Sequence, residues 1–127
     1  MEAMQTAPKQ KLVFVCDDDN DIAEVTKLVI EKQQHEVRVF SVCEDIVNAA
    51  EQHQPALILL DLWMPEMGGE KVIGLLKKNP RTKDIPVYVF SATRDVASVV
   101  KRAGADGFLN KPYSLRDMDN LLKKVLG

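Results

Sequence analysis

The residues of this 127-residue chain that could do chemistry together are acidic ones, a hydroxyl and a lysine. Asp17 and Asp18 follow the apolar run Leu-Val-Phe-Val-Cys, and Asp61 follows Ala-Leu-Ile-Leu-Leu. Ser91, with Thr93 just beyond it, follows Val-Tyr-Val-Phe, and Lys111 follows Gly-Phe-Leu-Asn. Clustered carboxylates repel, and without a counterion one of them must take up a proton. A hard divalent cation removes that conflict, and Mg²⁺ commonly takes one or two carboxylates while keeping several waters. Lys111 supplies a further positive charge and the Ser91 hydroxyl a hydrogen-bond donor. An acceptor oxygen, a metal, a lysine and a hydroxyl around three phosphoryl oxygens suit phosphoryl transfer. A carboxylate can be the nucleophile, and Asp61, between the acidic pair and the lysine in sequence, is the best candidate. Taken singly, each residue has a plainer explanation: a helix N-terminal acidic cluster at Asp17–Asp19, a turn serine, a solvated lysine. Their shared place at the ends of successive apolar runs ties them together.

Those runs must be strands for the residues to meet. Lys11–Cys16, Glu36–Phe40, Ala56–Leu60, Val87–Phe90 and Gly107–Asn110 are short, apolar and rich in β-branched residues, as strands buried on both faces are. Between them lie segments of helical spacing. The first starts after the acids and carries Ile22, Val25, Leu28 and Val29 as its expected apolar face, ending near Gln33 or Gln34. Val42–Gln52 follows Ser41 as a cap, with Glu44 completing a capping box. Gly69–Lys78 stops at Asn79-Pro80, and Asp95–Ala103 stops at Gly104. The last helix begins after Ser114 and carries Leu115, Met118, Leu121, Leu122 and Val125 on one stripe. Five alternations of strand and helix predict a parallel sheet covered on both faces. The common five-stranded solution is the flavodoxin-like (βα)5 doubly wound sandwich of order 2-1-3-4-5, with its switch point between strands 1 and 3. That order makes the carboxylates converge.

Composition narrows the function classes. Apolar residues make up 46% and charged residues 28%, as in a single globular domain. A formal charge of -2 gives no general attraction to nucleic acid or anionic membranes. No stretch is apolar and long enough to span a bilayer or serve as a secretory signal. Residues 1–10 are expected to form a flexible tail and 11–127 the one domain. Cys16 and Cys43 lack metal or redox spacing and fit buried free thiols of a cytoplasmic protein. His35 and His53 receive no role.

Four stretches resemble the receiver domain of bacterial two-component response regulators, including the chemotaxis receivers. They are Val-Phe-Val-Cys-Asp-Asp-Asp-Asn-Asp-Ile, Leu-Ile-Leu-Leu-Asp-Leu-Trp-Met-Pro-Glu-Met-Gly-Gly, Ile-Pro-Val-Tyr-Val-Phe-Ser-Ala and Gly-Ala-Asp-Gly-Phe-Leu-Asn-Lys-Pro-Tyr. The resemblance implies that Asp61 accepts a phosphoryl group from a phosphohistidine on a sensor histidine kinase or histidine phosphotransfer protein. It implies a Mg²⁺ (or Mn²⁺) site made by Asp18, Asp61 and the backbone carbonyl of Trp63, with Asp17 acting through water. Lys111, in a cis bond to Pro112, would contact the phosphoryl group. Ser91 and Phe108 would be the switch pair, altering the face made by the fourth helix, fifth strand and fifth helix, where a downstream partner binds. Such a domain catalyses its own phosphorylation and dephosphorylation without being a turnover enzyme, and this chain itself binds no nucleic acid or membrane. It is either a stand-alone receiver or part of a longer regulator.

Ser91 stands where threonine is commoner, Gly68 where Asp or Asn is frequent, and the segment Ser91–Gly104 is shorter than in many relatives. Trp63 is expected to overhang the site and slow hydrolysis of the aspartyl phosphate, which Trp63→Ala would reveal. Three rivals remain at this level. A haloacid-dehalogenase-like phosphohydrolase would need a further acidic pair after Lys111, where Pro112-Tyr113-Ser114 stands. A flavodoxin-like cofactor module would need a phosphate-cradling loop, but Cys16–Asp21 has no glycine and four acids. The third is an interaction module of receiver type that is never phosphorylated.

Overall fold

The computed structural model describes residues 10–17, 19–41, 43–61, 69–91, 96–110 and 114–127, with the backbone alone for 43 and 44. Its elements alternate as predicted: β1 (Leu12–Cys16), α1 (Asn20–Lys32), β2 (Glu36–Phe40), α2 (Cys43–His53), β3 (Leu57–Asp61), α3 (Gly69–Lys78), β4 (Val87–Ser91), α4 (Val96–Ala103), β5 (Gly107–Asn110) and α5 (Leu115–Leu126). The strands form one parallel sheet of order β2-β1-β3-β4-β5, the flavodoxin-like arrangement.

Both faces of the sheet are covered, so its central strands are apolar throughout. Phe14, Cys16, Ile58, Leu60, Val87 and Val89 face one layer with Ile46, Val72, Ile73, Leu76 and Val100 of α2, α3 and α4. The alternate residues Val13, Val15, Leu57, Leu59, Tyr88 and Phe90 face the other, with Ile30 of α1 and Met118, Leu121 and Leu122 of α5. This period of two is what a pleated strand imposes when it is buried on both sides.

Two strand ends differ from the sequence reading in a way that matters. β3 runs through Asp61 and β4 through Ser91, so both residues close a strand and stand in the ladder. Asp61 is level with Phe90 of β4, and Ser91 with Asn110 of β5. The helix starts follow capping chemistry. The Asp19 side chain accepts from the N–H groups of Asp21 and Ile22 at the head of α1. Ser114 and Asp117 form a reciprocal capping box at the head of α5. The predicted box from Ser41 to Glu44 involves a side chain outside the described set. α1 ends at Lys32, with Gln33 as its C-cap and Gln34 in the left-handed region.

Half of the apolar face expected for α1 is corrected, since Ile22 and Val29 do pack, partly buried, against the core. Its buried residues are Ala23, Thr26 and Ile30. Val25 and Leu28, assigned to the core, are 56% and 55% exposed. Likewise Leu115, at the head of the α5 stripe, is 66% exposed, and the α5 core begins at Met118.

Candidate functional site

The site lies at the carboxyl ends of β1, β3 and β4, where an open parallel sheet splits its connections to opposite faces. Cys16 of β1 is level with Leu60 of β3, so Asp17 and Asp61 occupy the next step on neighbouring strands. Their exposures are 0% and 5%, and that of Ser91 is 3%. Two buried carboxylates thus end adjacent strands, with a buried hydroxyl on the strand beside them. Each of the three makes polar contacts within the protein. The Asp17 N–H donates to the carbonyl of Phe40 on β2 at 3.1 Å, and its Oδ1 accepts from the Asp19 N–H at 2.9 Å. Asp19 in turn caps α1. The acidic turn after β1 therefore does both things weighed for it: one aspartate caps the helix and another stays buried at the strand end.

Asp18, Trp63, Thr93 and Lys111, with the Lys111–Pro112 bond, lie outside the described residues, as do residues 1–9 of the expected tail. Asn110, the residue before Lys111, closes β5 level with Ser91. Phe108, level with Val89, is 37% exposed on the outer edge strand. Among the described residues no three Asp, Glu, His or Cys side chains converge in a way that would hold a metal. The pair Asp17 and Asp61 nevertheless fits a divalent cation by donor chemistry: hard anionic oxygens, buried, at neighbouring strand ends.

Around this centre the outer helices are tied by charges that the sequence alone did not reveal. The Arg102 guanidinium of α4 donates from Nε and Nη2 to the two Glu70 carboxylate oxygens of α3 at 2.9 and 3.0 Å. That bidentate bond holds the Glu70 carboxyl below its usual range. Lys77 Nζ donates to Asp106 at 2.9 Å and to the Ile85 carbonyl at 2.8 Å, while the same carboxylate accepts from the Val87 N–H at 2.7 Å. The only prior signal for these pairs was opposite charge, which does not specify partners 29 or 32 residues apart.

The model of the response regulator receiver domain matches residues 13–124. The chain belongs to that family. The receiver is 30% identical over 116 residues to the phosphate regulon transcriptional regulatory protein PhoB of Klebsiella pneumoniae, covering 90% of this chain and 51% of that protein. It is 31% identical over 110 residues to the DNA-binding dual master transcriptional regulator RpaA of Synechocystis, covering 84% and 45% respectively. The receiver thus spans about half the length of these curated relatives. A solved putative response regulator from Chloroflexus aurantiacus superposes with a TM-score of 0.86 at 25% identity, covering 93% of this chain and 98% of that one. The receiver domain of the Pseudomonas aeruginosa sensor histidine kinase PA1611, described with a magnesium ion coordinated in its active-site cleft, shares the fold at a TM-score of 0.86 and 16% identity, covering 94% and 99%. The receiver is accordingly a domain of two-component signalling proteins and not a classical metabolic enzyme, which sets the phosphohydrolase rival aside. Among the described residues no helix is long and apolar enough to cross a membrane.

Proposed function

We propose that this receiver accepts a phosphoryl group on Asp61 from a phosphohistidine of a sensor histidine kinase or histidine phosphotransfer protein. The observation that carries the reading is the burial of the Asp61 carboxylate at the end of the central strand β3, beside Asp17. In the reaction an Asp61 oxygen forms a bond to phosphorus as the P–N bond to the donor imidazole breaks, and the released imidazole nitrogen takes a proton from solvent. The acyl phosphate is later lost to water, giving inorganic phosphate and the free carboxylate. The domain is thereby a participant in its own modification.

Asp17, Asp18, Asp61 and the Trp63 carbonyl would hold Mg²⁺ or Mn²⁺, Asp17 through water. When bound, such a cation neutralises charge on the transferring phosphoryl oxygens. Asp17 keeps the acidic turn against the strand end through its bond to Asp19. Ser91, one strand away, supplies a hydroxyl that can donate to a phosphoryl oxygen. Lys111, following Asn110, supplies the positive charge. Phe108, exposed on β5, is the aromatic that responds to Ser91, so the face of α4, β5 and α5 carries the output to a partner. Residues 11–127 form the receiver unit and residues 1–10 lie outside it. The working location is the cytoplasm.

Intact-mass measurement after incubation with acetyl phosphate tests the reading. A single phosphoryl adduct that requires Mg²⁺ and disappears in Asp61→Asn is the expected result. An adduct that survives that substitution moves the acceptor elsewhere. No adduct from either acetyl phosphate or a phosphorylated histidine kinase sinks the reading in favour of an unphosphorylated interaction module.

A further inference from the structure

Each helix of a parallel sandwich runs back against the strands. The C-termini of α1 and α5 therefore come to the end of the sheet where β1 and β2 begin, away from Asp61 at the far end of β3. There they frame an open cleft of about 410 Å³. Three lysines line it: Lys11 ahead of β1, Lys32 in the last turn of α1 and Lys123 in the last turn of α5. His35 lines it too, and its Nδ1 accepts the Lys11 N–H at 3.2 Å, which ties the start of β1 to the turn into β2. Leu122 and Leu126, both buried, supply its apolar wall.

A lysine at a helix C-terminus has a plain purpose, to offset the negative end of the helix dipole. Here the lysines exceed that need. Each helix end carries about −0.5 of a charge, so the two carry about −1 against three ammonium groups. The surplus is about two positive charges, or about one where Gly127, also in the lining, bears a terminal carboxylate. No carboxylate side chain lines the cleft. Glu31, Glu36 and Asp119 are the nearest in sequence, with Lys27 and Lys124 beside them on the same two helices. Asp119 is engaged by Gln33, whose Nε2 donates to it at 2.9 Å. Among the described residues none of the three lysines has an ion pair, whereas Lys77 and Arg102 are paired. Charges more than about 10 Å away are screened at 0.1 M salt, so a small anion in the cleft feels this surplus. An extended polyanion also meets the acidic remainder of a chain whose net charge is -2.

We propose that this cleft binds a small organic phosphate, its phosphoryl oxygens among Lys11, Lys32 and Lys123 and its carbon body on Leu122 and Leu126. A phosphoryl group gathers close to two charges and three acceptor oxygens at one end of a molecule and leaves the other end free to be apolar. That division matches lysines and leucines on one cleft, where a dicarboxylate would spread its charge over both ends. Small-molecule sites are clefts of roughly 300–1,000 Å³ with apolar walls and a few placed polar groups, and this cleft is of that size. His35 reports on the site. Its pKa is lowered by burial and then by the charge of Lys11, and a bound anion opposes the second effect and moves it upward. The cleft lies at the opposite end of the sheet from the phosphoacceptor, and the proposal stands independently of that reading.

Amide NMR of the chain in metal-free, low-salt buffer, titrated with ADP, tests the site. Saturable shifts should fall on the end of α1, on His35 and on the end of α5, with half-saturation between about 0.1 and 1 mM. The ring pKa of His35 should rise with the ligand bound. Pyrophosphate should shift the same amides, and adenosine, which carries no charge, should not. Each unit charge about 5 Å from another contributes about fourfold even at the dielectric constant of water. Lys32→Gln with Lys123→Gln should therefore weaken binding at least ~10-fold. Both side chains are exposed, so the fold survives, which circular dichroism verifies. No saturable shift up to about 10 mM ADP overturns the proposal. So do shifts confined to the Asp61 end of the sheet, binding unchanged by the double substitution, or succinate binding as tightly as ADP.

Discussion

Neutralising the acceptor should make the metal-free domain more stable. Asp17 and Asp61 are both buried, and each directly follows one of the paired residues Cys16 and Leu60 of adjacent parallel strands. Neighbouring strands lie about 4.8 Å apart. Two negative charges about 5 Å apart repel by roughly 3 kcal/mol at an effective dielectric constant of 20. Side-chain rotation and local hydrogen bonds spread the carboxylates, so about 1–2 kcal/mol of relief remains for Asp61→Asn. With a urea slope of about 2 kcal/mol per molar, the unfolding midpoint should rise by about 0.5–1 M in the presence of a chelator. The asparagine keeps the shape and an acceptor oxygen, so no cavity offsets the gain. Mg²⁺ should then stabilise the parent by an amount growing with the logarithm of its concentration and the variant much less, so that the two curves approach each other as metal is added. Urea denaturation followed by far-ultraviolet circular dichroism, at several Mg²⁺ concentrations, measures both effects. If the chelated variant is no more stable than the parent, the carboxylates are not in conflict at the strand ends. The electrostatic argument for a divalent cation then falls with it.

The remaining predictions concern the frame that holds the site. A Cβ at Gly107 would lie 2.5 Å from Cε2 of Tyr88 on the paired strand. Gly107→Ala should therefore cost about 1–3 kcal/mol by overpacking, and Tyr88→Val in the same chain should recover part of it in chemical denaturation. Ser114→Ala removes the capping-box acceptor at the head of α5 and should lower stability by about 1 kcal/mol, with the loss read as a lower thermal midpoint. The half-buried His35 is held below its usual pKa of 6.5 by burial and then by the charge of Lys11. Its Nδ1 accepts the Lys11 backbone N–H at 3.2 Å. The unfolded chain thus binds the proton more readily. Stability from this group is complete above about pH 6.5 and is lost as pH falls through the depressed folded value. Between pH 7 and 5 the unfolding midpoint of His35→Gln should decline less steeply than that of the parent.

How far the sequence discloses the molecule depends on which interactions dominate each part. Strands buried on both faces read as apolar runs with little room for another interpretation, so strand existence, order and parallel sense were legible. The candidate site was legible for the same reason: Asp17, Asp61 and Ser91 are the polar residues that follow those runs, and all three are buried. Their exact place in the ladder was not, because a run of apolar letters does not say whether the next, polar residue still pairs. β3 and β4 each extend by that one residue. Helix faces were harder. In α1 the expected face joined Ile22, Val25, Leu28 and Val29, while Ala23, Thr26 and Ile30 also recur at helical spacing, and greater hydrophobicity favoured the former. The sheet buries the latter fully, Ile22 and Val29 pack against it in part, and Val25 and Leu28 are turned outward. A hydrophobic pattern measures which residues seek cover without saying whether the same chain supplies it. The misassigned part of α1 thus has a physical content: the pattern names the side chains that seek cover, and the way the helix rests on the sheet decides which of them receive it.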